Sequence, residues 1–140
     1  MRKLSAEQVL EPLAASNLCN LEFLGDQLFV GQDLSFNGPE ASLAGWVGDE
    51  KTRGAPTGPS VRLEVDGDKT QVWEGALTLG LKREDVAEAL SEPGVVDTGF
   101  RQDFSLAGLE AGRYHLFLTY QSSGTRYACD SGRFAVLGGP

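Results

Sequence analysis

The stretch Val61-Arg62-Leu63-Glu64-Val65-Asp66-Gly67 alternates apolar and charged residues with a period of two and then ends in a turn dipeptide. This alternation is typical of a β-strand that buries one face and exposes the other. Asp66-Gly67 favours a tight hairpin turn, because both residues tolerate the backbone conformations that such turns require. The sequence therefore predicts a β-hairpin whose returning strand includes Gln71 to Trp73.

Segments of the same period recur on both sides of this hairpin. The alternation begins at Cys19, is strongest in aromatic and branched content from Tyr114 to Tyr120, and closes with Phe134 to Leu137. Glycine and proline separate these segments, and residues Lys51 to Ser60 hold enough of both to be a loop. About eight short strands between such turns predict an all-β sandwich, for which we expect seven to nine antiparallel strands.

Two segments have a helical period instead. Apolar residues recur at helical spacing between Ser5 and Ala15, where Ser5 and Gln8 match the capping-box pattern, and Pro12 ends the helix early. Residues Lys82 to Leu90 predict a helix of about two turns. We therefore expect one short N-terminal helix and one short helix inserted between strands.

Length and composition are those of a single folded domain. The chain has 140 residues and a mass of 15.0 kDa, with 41% hydrophobic and 23% charged residues, close to globular averages. The patterns divide it into a partly helical N-terminal extension over residues 1–17 and a β-sandwich domain over residues 18–140.

The charge of the chain bears on its partners. Twenty acidic and twelve basic residues give a formal net charge of -8, which repels nucleic acid. No run approaches the roughly 18 apolar residues of a membrane-spanning helix, so we expect no membrane insertion. The start of the chain lacks the apolar segment of a signal peptide, which at face value predicts the cytoplasm, although Met1-Arg2-Lys3-Leu4 is also compatible with a fragment of a longer precursor.

The chain has two cysteines, Cys19 and Cys129, near its opposite ends. Two thiols and the single His115 are too few ligands for a structural zinc site, so we expect no metal. The first and last strands of a sandwich often lie side by side, which favours a disulfide between these cysteines and, with it, an oxidising compartment. Two buried free thiols are the alternative.

Four short motifs occur in a fixed order along the chain: Gly45-Trp46, Arg83-Glu84-Asp85-Val86-Ala87, Gly99-Phe100 and Leu109-Glu110-Ala111-Gly112-Arg113-Tyr114. Together they resemble the motifs of a bacterial immunoglobulin-like β-sandwich accessory domain. The resemblance covers about Cys19 to Leu137. It implies an immunoglobulin-like antiparallel sandwich and a non-catalytic module of an envelope or secreted protein, hence a periplasmic or secreted location, with the cytoplasm as the alternative.

Three residues are candidates for ligand binding. Trp73 lies near the predicted hairpin and is a candidate platform for a sugar or a protein partner. Trp46 is a candidate for stacking on a ligand, with packing into the core as the alternative. Arg83 begins the inserted helix, where it either faces a ligand or pairs with a carboxylate.

The sequence offers no set of catalytic residues, and we expect neither enzyme activity nor a cofactor. His115 alternates with Leu116 in a strand, and Ser122 and Ser123 occupy a turn rather than a nucleophile elbow. Acid pairs such as Asp103 and Glu110 leave a small glycoside or ester hydrolase as a remote alternative. The function predicted is binding of a glycan or a protein partner, with a purely structural spacer as the other possibility.

Overall fold

A computed structural model describes residues 1–138. It contains eleven β-strands, two short α-helices and one turn of 3₁₀ helix within that range. They are β1 (Arg2–Lys3), α1 (Ala6–Val9), β2 (Ala14–Ser16), β3 (Cys19–Leu24), β4 (Gln27–Leu28), β5 (Asp33–Phe36), β6 (Glu40–Val47), β7 (Thr57–Val65), β8 (Asp68–Ala76), α2 (Glu84–Leu90), the 3₁₀ turn Pro93–Val95, β9 (Gly99–Ser105), β10 (Gly112–Ser122) and β11 (Thr125–Leu137).

The strands form two sheets that face each other. The larger sheet has the order β1-β8-β7-β10-β11-β2, with β5 also paired to β11, and the smaller has the order β4-β3-β6-β9. All pairings are antiparallel except those of β2 and β5, which run parallel to β11. The predicted all-β sandwich is confirmed.

Several expectations about single elements can now be compared with the structure. The hairpin at Asp66-Gly67 joins β7 to β8 as predicted, and Ser5 caps α1 through a complete capping box with Gln8. The strand number exceeds the expected seven to nine. The additional strands are short, with two to four residues in each of β1, β2, β4 and β5, and such segments are too brief to show a period of two.

The core lies between the inner faces of the two sheets. β10 crosses its centre, where Leu116, Leu118 and Tyr120 alternate with residues that face outward. The smaller sheet contributes Leu21 and Phe100 from the opposite side. Since alternate side chains of each strand point inward, these residues form one dry layer between the sheets.

Tyr114 stabilises the connection between the sheets. The chain leaves β9 in the smaller sheet and enters β10 in the larger one, and the Tyr114 hydroxyl donates a 2.6 Å hydrogen bond to the carbonyl oxygen of Glu110 within this connection. Burial raises the pKa of the Tyr114 phenol, which keeps the donor protonated. This arrangement is the tyrosine corner of Greek-key sandwiches, so the motif Leu109–Tyr114 has a structural role.

A disulfide joins the sheets. Cys19 opens β3 in the smaller sheet and Cys129 lies within β11 in the larger one, and the two are bonded with their Cα atoms 6.4 Å apart. The predicted bridge is therefore present. It closes a sequence separation of 110 residues, which in the chain-entropy description greatly restricts the unfolded chain.

The N-terminal residues belong to the larger sheet at both of its margins. β1 pairs with β8 and β2 pairs with β11, so the segment between them passes from one side of this sheet to the other. Leu4 is buried within that segment.

The boundary at residue 17 stays a prediction, and residues 139–140 of the predicted domain lie outside the described range. No helix within residues 1–138 has the length and apolar character needed to cross a membrane.

Removal of the disulfide should destabilise the fold strongly. We expect the C19A/C129A variant to lose about 2 to 5 kcal/mol of unfolding free energy, because the unfolded chain regains the freedom that a long closed loop removes. Urea denaturation of the variant and of the oxidised and reduced wild type measures this difference. Equal midpoints for the oxidised and reduced wild type would show that the bridge does not stabilise the fold.

The tyrosine corner can be tested by deleting a single hydroxyl. The Y114F variant keeps the ring but leaves the Glu110 carbonyl without its donor, and we expect a loss of about 1 kcal/mol. Urea denaturation measures the loss, and faster amide exchange in residues 106–112 should accompany it. A variant as stable as the wild type would contradict the role assigned to Tyr114.

Candidate functional site

The outer face of the smaller sheet is covered at one end by the insertion between β8 and β9, through its α2 helix and 3₁₀ turn. Trp46 points out from β6 beneath this insertion and packs in a small separate cluster with Leu18, Val86 and Val95. Only 9% of Trp46 is exposed. The position of Trp46 therefore fits the alternative interpretation, in which it packs inside the protein. It packs beneath the inserted helix, however, and not in the main core.

Gly45, the neighbour of Trp46, has a different structural role. The register of β3 on β6 changes between Leu21 and Phe23, so that Glu22 is the extra residue of a β-bulge. A Cβ atom on Gly45 would lie 2.2 Å from the carbonyl oxygen of Asn20. Glycine is thus required where the bulged strand approaches β6.

The bulge directs Glu22 towards Arg83. The Arg83 guanidinium donates to both Glu22 carboxylate oxygens at 2.6 and 2.9 Å and to both Asp85 oxygens at 3.0 and 2.9 Å. Hydrogen bonds from Arg83 hold the pKa of Asp85 at about 2, below its ordinary 3.8. Arg83 therefore ties the start of α2 to β3, and its donors are occupied by carboxylates rather than offered to a ligand.

The uncovered part of this face holds a groove of about 310 Å³. We call it the sheet groove. Its lining consists of Glu22, Phe23, Leu28, Ala44, Gly45, Leu81, Arg83, Phe100 and Arg101. Leu28 and Leu81 stand at its margins with 51% and 53% of their surfaces exposed.

The strand register sets the direction and length of the sheet groove. Leu28 pairs with Phe23, Phe23 with Ala44 and Ala44 with Arg101, so one row of outward side chains crosses all four strands. Three spacings of about 4.8 Å make this row roughly 14 Å long. The Arg101 guanidinium lies over the Phe23 ring, 5.3 Å from its centroid. The floor is therefore apolar, and the cation of Arg101 lies over Phe23, within the row rather than at its end.

Trp73 lies elsewhere, at the margin of the main core. Its ring meets Tyr114 edge-on at a centroid distance of 5.8 Å, and Lys3 Nζ lies 5.2 Å from its centroid. Only 6% of Trp73 is exposed, which corrects the expectation of an exposed platform. Trp73 is buried because it follows the inward alternation of β8, opposite Leu63. It does line a cleft of about 430 Å³, which we call the edge cleft.

The predicted Lys51–Ser60 loop is shorter than expected and lies away from Trp73. β7 already begins at Thr57, which pairs with Gln121 at the far end of β10 from Tyr114. Asp49 orders the loop by accepting from the backbone amides of Lys51 and Thr52 at 2.9 and 3.2 Å. Burial raises the pKa of Asp49, but the hydrogen bonds from Ser122, Thr52 and Lys51 outweigh it and the pKa is lowered.

His115 lies on the outer face of the larger sheet, opposite in direction to Leu116 as predicted. Its Nε2 atom is 2.6 Å from a carboxylate oxygen of Asp130. The imidazole is stacked between Phe117 and Phe134, with centroid distances of 4.1 and 4.4 Å. Within residues 1–138, no group of three or more histidine, cysteine, aspartate or glutamate residues is placed to hold a metal ion.

Sequence reasoning identified Arg83 but missed the residues that make the sheet groove. Phe23, Leu28, Leu81 and Arg101 come from four separate segments, and the bulge that turns Phe23 outward has no sequence signature. The one available signal was Leu81 next to Gly80, an apolar residue at a turn position.

Comparisons of the chain with models of protein families, with curated proteins and with solved structures found no match. A function must therefore be derived from the sheet groove and the edge cleft themselves.

The Arg83–Asp85 pair makes a prediction about acid stability. The folded pKa of Asp85 is lowered to about 2, so its stabilising contribution is complete well above its ordinary value of 3.8, shrinks below it and is lost as the pH falls through 2. We expect D85N to lower the melting temperature at pH 7 and to have a much smaller effect near pH 2. E84Q removes a carboxylate from the same turn of α2 and serves as the control. A D85N effect that persists unchanged to pH 2 would contradict the assignment.

Proposed function

We propose that this chain is a non-catalytic binding module that recognises another protein through the sheet groove. The observation that carries the proposal is the pair Leu28 and Leu81, two half-exposed leucines on opposite margins of one apolar groove. Single exposed apolar residues are ordinary on protein surfaces, whereas a concave patch that joins several of them marks an interaction site.

The energetics favour a partner that covers both margins. Removal of the exposed half of each leucine from water contributes on the order of 1 kcal/mol per side chain. The floor is already rigid, because Phe23, Ala44 and Arg101 are fixed by sheet pairing. A partner would therefore bind without ordering the groove first, which reduces the cost of association.

The charges of the groove define the partner further. Glu22 and Arg83 neutralise each other, whereas Arg101 makes no ion pair with any carboxylate of residues 1–138. The unpaired guanidinium over Phe23 favours a carboxylate, and the exposed Leu28 and Leu81 favour aliphatic side chains beside it. Since an extended chain rises about 3.3 Å per residue, a row of roughly 14 Å accommodates about four residues. The proposed ligand is an extended apolar and acidic segment of a partner protein.

The resemblance to bacterial immunoglobulin-like accessory domains supports the same class of function. The tyrosine corner and the two-sheet arrangement are features that such domains share. The Cys19–Cys129 bridge fits an oxidising compartment, so we propose a periplasmic or secreted module.

A glycan is the weaker candidate ligand. Sugar recognition commonly uses an exposed aromatic face, and both Trp46 and Trp73 are buried. A spacer without a ligand remains the other alternative. The peptide experiment below distinguishes the glycan and the spacer from recognition of a protein partner.

Panning of a random octapeptide library on the wild-type domain tests the proposal. We expect selected peptides to combine aliphatic and acidic residues, and to lose at least tenfold in affinity on L81D and on R101E. L10D introduces the same change at Leu10, which is 81% exposed and outside the groove, and should bind as the wild type does. Melting temperatures confirm that each variant is folded.

Three outcomes would overturn the proposal. Peptides that bind L81D, R101E and wild type equally would place recognition outside the sheet groove. Absence of selected peptides together with signals on a glycan array would favour the glycan, and silence in both would favour the spacer.

A further inference from the structure

The edge cleft opens where the two sheets part, between the β7–β8 hairpin and the connection that leads into β10. Its volume of about 430 Å³ lies in the range of small-ligand sites. Its lining includes Lys3, Asp68, Gln71, Trp73, Glu110 and Tyr114. The cleft is separate from the sheet groove, with which it shares no lining residue.

A cation already lies over the aromatic wall of this cleft. Lys3 is paired with Trp73 in the register of β1 on β8, and its ammonium group is 5.2 Å from the ring centroid. An ammonium at this distance is attracted by the negative face of the indole. Tyr114 fixes the ring by an edge-on contact at 5.8 Å, so the face is preorganised.

The polar lining of the cleft includes acidic residues, whose negative charge is complementary to a cation. The hydroxyl of Thr70 donates to Asp68 at 2.6 Å and its amide at 3.1 Å, and these bonds hold the pKa of Asp68 below its ordinary value, with a further contribution from Lys3. Within residues 1–138, neither Asp68 nor Glu110 forms an ion pair with a lysine or arginine. Two acidic residues therefore line the cleft that holds one ammonium, in a protein whose net charge of -8 also attracts cations.

Lys3 is held in place weakly. β1 has only two residues, Arg2 and Lys3, and both are exposed. It lies at the edge of the larger sheet, where one strand partner is missing. A competing cation would have to displace only a side chain from the ring, without opening the core.

From these contacts we propose that the edge cleft is a binding site for a small organic ammonium ion, and that Lys3 occupies the cation position as an internal ligand. Trp73 supplies the face that contacts the cation, while Asp68 and Glu110 supply the negative charge. The site goes beyond the recognition of a protein partner and does not depend on it.

Choline is the probe for this site, and the indole Nε1–H resonance of Trp73 in an ¹H–¹⁵N spectrum is the readout. K3A should bind choline at least fivefold more tightly than the wild type, because the ring face is then free. R2A removes the neighbouring positive charge, which lies outside the cleft. Its affinity for choline should therefore resemble that of the wild type. The neutral analogue 3,3-dimethylbutan-1-ol should bind K3A at least tenfold more weakly than choline.

A second variant separates binding from folding. K3A/D68N should bind choline more weakly than K3A, by the shift of the Trp73 resonance, while keeping the melting temperature of K3A. The proposal is overturned if choline leaves the Trp73 resonance of K3A unmoved, if K3A and R2A respond alike, or if the neutral analogue binds as tightly as choline.

Discussion

The approach of the β3 backbone to Gly45 is the constraint on which both faces of the smaller sheet depend. Because β3 bulges at Glu22, Leu21 and Leu24 both reach the core, and Glu22 and Phe23 both remain outside. The inner pair completes the layer between the sheets. The outer pair supplies the anchor for Arg83 and the floor of the sheet groove. A regular strand would have placed one member of each pair on the wrong face.

The covered and open halves of that outer face have different roles. At the covered end, Trp46 packs beneath α2, and Arg83 ties the helix to β3 through Glu22. The insertion thereby shields one end of the outer face. At the other end of this face, its residues Leu81 and Arg83 form one wall of the sheet groove. The same contacts that stabilise the insertion therefore shape the surface proposed to bind a partner.

The two proposed sites differ in physical character. The sheet groove has an apolar floor with the Arg101 guanidinium over Phe23, whereas acidic residues, Lys3 and the aromatic residues Trp73 and Tyr114 line the edge cleft. Each is complementary to a different class of ligand, so the two proposals concern separate surfaces. Both are fixed by strand register, which orders their side chains before any ligand arrives.

The sequence by itself favoured the pairing of Cys19 with Cys129 over two free thiols, and the structure shows the bridge. The sequence determined the sandwich, the hairpin at Asp66-Gly67 and the inserted helix. Local periodicity and turn chemistry are sufficient for these features, since each depends on neighbouring residues or on the general geometry of a sandwich. Only the tertiary structure decided that Trp73 is buried, that Arg83 is neutralised, and that Phe23 and Arg101 share a groove with Leu28 and Leu81. These outcomes depend on a bulge and on the pairing of distant strands, which a period of two cannot encode.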